Sequence, residues 1–290
     1  RTNDLLMGVT IPTLTGFNTT YANVGKTKNH GVEVSLNLIP VQTGYGLTWE
    51  SNINAAYQKD KISELAYGKN DMPDNSWFIG QSIGVHYSYA NAGLWQDTPE
   101  DQAEMAKFKE KGGYNFSPGM VRPVDQNGDY VIGDEDRVVL GNSNPHWTLG
   151  WTNTLSWKGI EAGITLYGRM GYMVSGLGNG LTGEYNINKK TDYWTPENTN
   201  SEFQKPIYKK SDEFANLLGY RDAAFVKIRN ISLGYNFPKT ICSKMGVGNL
   251  KIYAQAVNPG SLYQSIDWYD LDTSNTYYNR SFVFGLQVGF

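Results

Sequence analysis

Trp147-Thr148-Leu149-Gly150-Trp151-Thr152-Asn153-Thr154-Leu155-Ser156-Trp157 carries a large apolar side chain at nearly every odd position and a small or hydroxyl-bearing one at every even position. Successive side chains of a strand point to opposite faces, so this spacing predicts a strand with one apolar and one polar face. A strand of about 9–11 residues, tilted, is what crosses a bilayer. Trp near both of its ends suits the two interfacial belts of a membrane barrel.

The pattern repeats outward in both directions. Ile160, Ala162, Ile164 and Leu166 alternate with Glu161, Thr165, Tyr167 and Arg169. Upstream, Leu47, Trp49, Ile53, Ala55 and Tyr57 alternate with Thr48, Glu50, Asn52 and Asn54, and Val32, Val34, Leu36 and Leu38 with Glu33, Ser35 and Asn37. Downstream come 223–237, 249–258 and 280–290, and an early strand is expected near Leu5–Met7 after which 8–22 reads as a loop. Soluble sandwiches also alternate, but their strands seldom run to about ten residues. Connections alternate in length: 41–46, 158–159 and 238–248 are short, whereas 59–145, 172–222 and 259–279 are long. Short periplasmic turns and long extracellular loops are the habit of outer-membrane barrels. The fold class expected is therefore all-β, an antiparallel transmembrane β-barrel contributing about eight crossings with long extracellular loops. Loops of that size would dwarf a closed eight-stranded barrel, so a larger barrel, of which this is a part, fits better.

Composition narrows the function. Aromatics make up 13% of the 290 residues, and 20 Tyr outnumber 11 Phe, which suits rings that meet apolar material on one side and water on the other. The net charge of −3 offers no basic face for nucleic acid. Cys242 stands alone, which rules out an internal disulfide or a cysteine metal cluster. No apolar run of about 18 residues exists for a transmembrane helix, but a barrel strand shows lipid only every second residue.

Several segments carry a family resemblance. Asn23-Val24-Gly25 followed by Asn29-His30-Gly31-Val32-Glu33, the acidic Asp125-Gln126-Asn127-Gly128-Asp129 with Ile132, Asp136-Arg137 and Gly141, then Trp194-Thr195-Pro196-Glu197-Asn198-Thr199-Asn200, Arg229 to Pro238, and Tyr253 to Asn258 occur in this order. The chain closes on Phe282, Phe284, Leu286, Val288 and Phe290 at alternate positions. Together these resemble the C-terminal part of the SusC/RagA family of TonB-dependent outer-membrane transporters. Departures are Tyr130, where the family's acidic loop usually has a second Gly, and Pro259 to Tyr263, which follows the family loosely.

The resemblance implies a barrel of about 22 strands with a plugged lumen, of which residues 1–290 form the C-terminal part. The plug domain, the N-terminal strands and the segment touching the TonB complex would lie N-terminal to Arg1. It implies import of oligomeric nutrients, glycan or peptide, beneath a SusD-like surface lipoprotein acting as a lid, in the bacterial outer membrane. Phe290 would then be the signal read by the barrel assembly machinery. Glu33, Glu50, Asn52, Asn54, Glu161 and Arg169 would line the lumen or bond the plug, while Leu36, Ile53, Leu155, Ile164 and Leu286 would meet outer-membrane lipid. The competing expectation is a secreted carbohydrate-binding β protein without a membrane role.

Chemistry is sparse, and no enzyme is expected. Asp125, Asn127, Asp129, the Val131 carbonyl and Asp136 fall at positions 1, 3, 5, 7 and 12 of an EF-hand-like loop, a spacing of hard oxygen ligands suited to Ca²⁺. Against it stand Tyr130 at the turn position that prefers Gly and Asp rather than Glu at the last position; otherwise no cofactor is expected. His30, His86 and His146 are too scattered for a zinc pattern. Asp134-Glu135-Asp136 and the Gly-rich 176–180 read as solvated loop, and Cys242 lacks a nucleophile's setting. Trp77, Tyr87, Tyr89 and Trp95 in one long loop, and Tyr185, Tyr193 and Trp194 in the other, are candidates for stacking on cargo or packing on a partner.

Overall fold

The computed structural model describes residues 2–11, 14, 16–17, 19–65, 68–177, 192–206, 213–274 and 279–290, without the side chains of 4–7, 9–10 and 22–24. It divides into two compact units. The first comprises residues 1–70, 144–172 and 222–290. Its strands β1 (Thr2–Thr10), β2 (Thr19–Gln42), β3 (Leu47–Glu64), β4 (Trp147–Trp157), β5 (Ile160–Met170), β6 (Phe225–Asn236), β7 (Asn249–Gln264) and β8 (Ser281–Gly289) form one eight-stranded sheet in chain order. Each neighbour runs antiparallel, the up-and-down order expected of a barrel wall.

Register sorts the side chains. One row runs Val41, Trp49, Leu155, Ala162, Leu233, Ala254 and Phe284 across seven strands. The adjacent row on the opposite face runs Glu50, Thr154, Gly163, Ser232, Gln255 and Val283. The apolar face is open rather than packed: Leu155 is 46% exposed, Leu233 57% and Phe284 81%. A two-sheet sandwich would bury this face in its core. The few polar groups on it are satisfied locally. Asn153, the one odd-numbered polar residue of β4, accepts the Trp49 indole N–H at 3.0 Å, and Ser51 accepts that of Trp151 at 2.8 Å.

Short connections are tight. Lys158 and Gly159 both have positive φ, 48° and 90°, as a two-residue type I′ hairpin requires. Strands are longer than the alternation implies. The expected early loop 8–22 contracts to 11–18, and β3 and β7 run on to Glu64 and Gln264, into stretches expected to be loop. Beyond the apolar belt the pairs Lys28–Lys61 and Asn29–Asp60 put polar residues on both faces, so the period-2 signal fades while the ladder continues. Pro40 and Pro259 sit beside register shifts, where a ladder tolerates a missing N–H.

The second unit, 71–143 and 173–221, draws on the two longest connections. It has its own core, with Trp95, Phe108, Val121 and Leu217 buried. The core holds a helix, α1 (Pro99–Gly112), that the strand pattern does not announce. Its start is nevertheless written in sequence: the Thr98 hydroxyl accepts the Asp101 N–H at 3.2 Å, Pro99 enters the first turn, and Gly113 closes the end at φ 74°.

Candidate functional site

The polar face of the sheet is the first candidate surface. Glu33, Asn52, Asn54, Glu50, Glu161 and Arg169, the residues expected to line a lumen, fall on this one face by register. Toward the short turns, Lys251 Nζ reaches Glu161 at 3.0 Å.

Toward the long connections the same face holds a charged cluster that spacing alone does not reveal, because its paired cations and carboxylates lie 43 to 45 residues apart in sequence. Lys227 Nζ contacts Asp270 at 3.0 Å and Asp272 at 3.4 Å, and Asp272 also accepts from Arg229 at 2.7 Å. The Lys227, Asp270 and Asp272 side chains are almost fully buried. Burial by itself pushes the Asp270 carboxyl up. The hydroxyl of Thr273, Lys227 and the Asp272 N–H outweigh that and hold it below its ordinary value. Arg169 Nε donates to the Tyr167 hydroxyl at 2.9 Å.

The acidic turn in the second unit is held by carboxylates that accept backbone N–H groups. Tyr130 adopts φ 64°, the left-handed conformation that glycine takes most easily at that position. Asp125 accepts the Gly128 and Tyr130 N–H groups at 2.7 and 2.8 Å, and Asp129 accepts that of Val131 at 2.7 Å. Asp136, fully buried, accepts from Gln126 and Gly133 at 2.7 and 2.8 Å. Asn127 instead donates to Asp129 and Glu135. Among the described residues no group of three His, Cys, Asp or Glu converges on one point. Ion binding there would need Asn127, whose amide oxygen accepts the Asp129 N–H, and Asp136 to trade backbone N–H contacts for metal contacts. Beside the turn, the Tyr114 hydroxyl donates to the Ile132 carbonyl and accepts its N–H, and burial pushes this phenol up.

The loop aromatics separate into two groups. Trp95 has no exposed surface and Trp194 almost none; the Trp194 indole donates to Gln96 at 3.1 Å. Tyr89 lies edge-on to Phe214 in the same core, and Tyr87 packs on Phe78 at 4.7 Å. Trp77 is half-buried, and Tyr193 at 42% exposure has the most accessible ring of the six. Tyr185 and Gly178 to Gly180 lie outside the described residues. His86 contacts the Met173 carbonyl at 3.1 Å, and Cys242 is buried against the Phe237 carbonyl. Phe290 follows β8 with its ring fully exposed.

Comparison with known proteins meets this geometry at the sheet. No family model matches the chain. "TonB-dependent receptor P26" of Formosa agariphila is 30% identical over 279 residues, covering 89% of this chain and 27% of its own length. "TonB-dependent receptor SusC" of Bacteroides thetaiotaomicron is 26% identical over 287 residues, covering 92% of this chain and 26% of its own. A solved structure described as the RagAB peptide transporter superposes with a TM-score of 0.68 at 22% identity, over 99% of this chain and 32% of that one. The chain is SusC/RagA-like. It is similar to a segment of TonB-dependent outer-membrane barrels and spans about a quarter to a third of the length of the relatives it matches. In this SusC/RagA-like sheet the exposed apolar rows are the lipid face, so the secreted β protein without a membrane role is set aside. The relatives are named as receptors and transporters.

Proposed function

We propose that this SusC/RagA-like chain forms part of the barrel wall of a TonB-dependent importer of oligomeric nutrients, glycan or peptide, working under a SusD-like lipoprotein lid and having no enzymatic activity. The observation that carries the reading is the single sheet whose one face stays apolar and open over seven strands while the other stays polar. A wall of that kind separates hydrocarbon from a wet lumen. A plug, preceding strands and a TonB contact would be supplied from outside the 290 residues. Energised cells carrying the intact protein should accumulate a fluorescent oligomer, and a protonophore should abolish accumulation; uptake insensitive to the protonophore would defeat the reading. Native mass spectrometry of cargo retained after purification separates glycan from peptide.

In the same reading the acidic turn, Asp125, Asn127, Asp129, Val131 and Asp136, takes Ca²⁺. Its support is the spacing and the left-handed Tyr130, which supplies the sharp turn without glycine. Titration with Ca²⁺ after chelation should give saturable heat, and a flat trace removes the metal.

A further inference from the structure

We propose that Tyr167, Arg169 and Arg229 form an anion station on the polar face, built to take the carboxylate of passing cargo. This rests on the import reading above and adds the chemistry of what is carried. Three cations, Lys227, Arg229 and Arg169, stand against two carboxylates, Asp270 and Asp272. The neutralised part is inside: the Lys227 side chain is 1% exposed, and those of Asp270 and Asp272 are 4% and 3%. The excess positive charge faces out, because the Arg229 side chain is 41% exposed and Arg169 33%. Arg169 approaches Asp272 no closer than 3.9 Å, beyond hydrogen-bond reach.

Both guanidinium groups are already positioned. They lie over the Tyr167 ring, Arg229 at 4.6 Å and Arg169 at 5.5 Å from its centre. Arg229 is further fixed by Asp272 and Arg169 by the Tyr167 hydroxyl. A planar, pre-ordered fork loses little freedom on meeting a carboxylate, which it can grip through two parallel N–H bonds. There is room for the guest. Gly150 pairs with Tyr167 across the β4–β5 ladder, and a side chain built there would touch only the Asn54 Cβ, at 3.9 Å. The other carboxylates of this face are occupied or distant. Glu161 is held by Lys251, and Glu33 shares a row with Arg169 but lies three strands away, about 14 Å.

A carboxylate of this kind is found on acidic peptides and on uronic-acid glycans, and paired probes tell them apart. The intact detergent-purified transporter is titrated with an Asp-rich hexapeptide and its Asn counterpart, and with an oligogalacturonate and its methyl ester. The acidic member of one pair should bind about tenfold tighter than its neutral partner. Arg169→Gln and Arg229→Gln should each erase that preference, while Arg169→Lys keeps part of it. Asp272→Asn, which releases an edge of Arg229 while Asp270 still pairs Lys227, should widen the preference; a merely structural cluster would instead weaken both members alike. A preference that survives both Gln variants, or no preference at all, overturns the station while energised uptake stands. Should the Gln variants fail to fold, Asp272→Asn decides alone, and unchanged or weaker acidic binding overturns the proposal. Absence of protonophore-sensitive uptake of any of the four probes defeats the import reading itself.

Discussion

Lys227 shows how much one residue can hold. Lys227 is the buried cation that Asp270 pairs with, and removing the ammonium leaves a buried carboxylate without its counter-charge. Lys227→Ala should therefore cost about 3–5 kcal/mol of local stability, read as faster hydrogen exchange through 265–274; exchange unchanged from the parent would contradict the pairing. Asp270 adds a pH dependence whose sign is fixed. Its carboxyl is held below the ordinary value, so its contribution is full above the unfolded-chain pKa and is lost as pH falls through the lower folded one. Segment 265–274 should stay closed down to about pH 4 and open only below it; opening already above about pH 5 would refute this. Gly31 is a different case. A Cβ there would collide with the Tyr57 carbonyl, so Gly31→Ala should force the β2–β3 ladder apart at a cost of about 1–3 kcal/mol in denaturant melts. Sequence marked Gly31 only as part of a motif; its steric role depends on a partner strand in van der Waals contact. Likewise Arg169 was legible as a polar-face residue, whereas its company with Arg229 and Asp272 depended on register and loop path.

At the scale of the element, the lipid face and polar face of β8 offer a direct contrast. Phe284 and Leu286 point to hydrocarbon while Gln287 lies with Lys251 on the polar face. Leu286→Arg should destabilise by about 2–4 kcal/mol if it sits near the bilayer midplane, and Gln287→Arg by far less. Equal effects in lipid vesicles would mean that the faces are misassigned. Deleting Phe290 should lower the fraction of protein reaching the heat-modifiable folded form, the gel readout of assembly. Strand existence and facing were legible because seven stretches each repeat a two-residue period, a signal needing no tertiary knowledge. Strand ends were not, because pairs such as Lys28–Lys61 keep their hydrogen bonds after alternation has ceased. Helix α1 is hidden in the sequence for a related reason. Its cap residues Thr98 and Pro99 were in view, but they lie inside a connection too long to be read as one element.

For the whole molecule, the sequence announced a wall and three long connections, and the structure draws a unit with its own aromatic core from the two longest. That core takes Trp95 out of the pool of rings free to meet cargo; Trp194 is buried as well, while Tyr193 stays 42% exposed. Local spacing could not distinguish them, since burial is settled by residues from both connections, such as Phe108 and Phe214. β2 is longer than a bilayer crossing needs. Its 24 residues reach roughly 80 Å if extended, against a hydrocarbon layer of about 30 Å. Where β2 outruns that layer, the rim is stiff ribbon rather than slack chain. A protein alighting on it would find conformational freedom already surrendered when the barrel folded, so capture should be quick, with little ordering entropy left to oppose it.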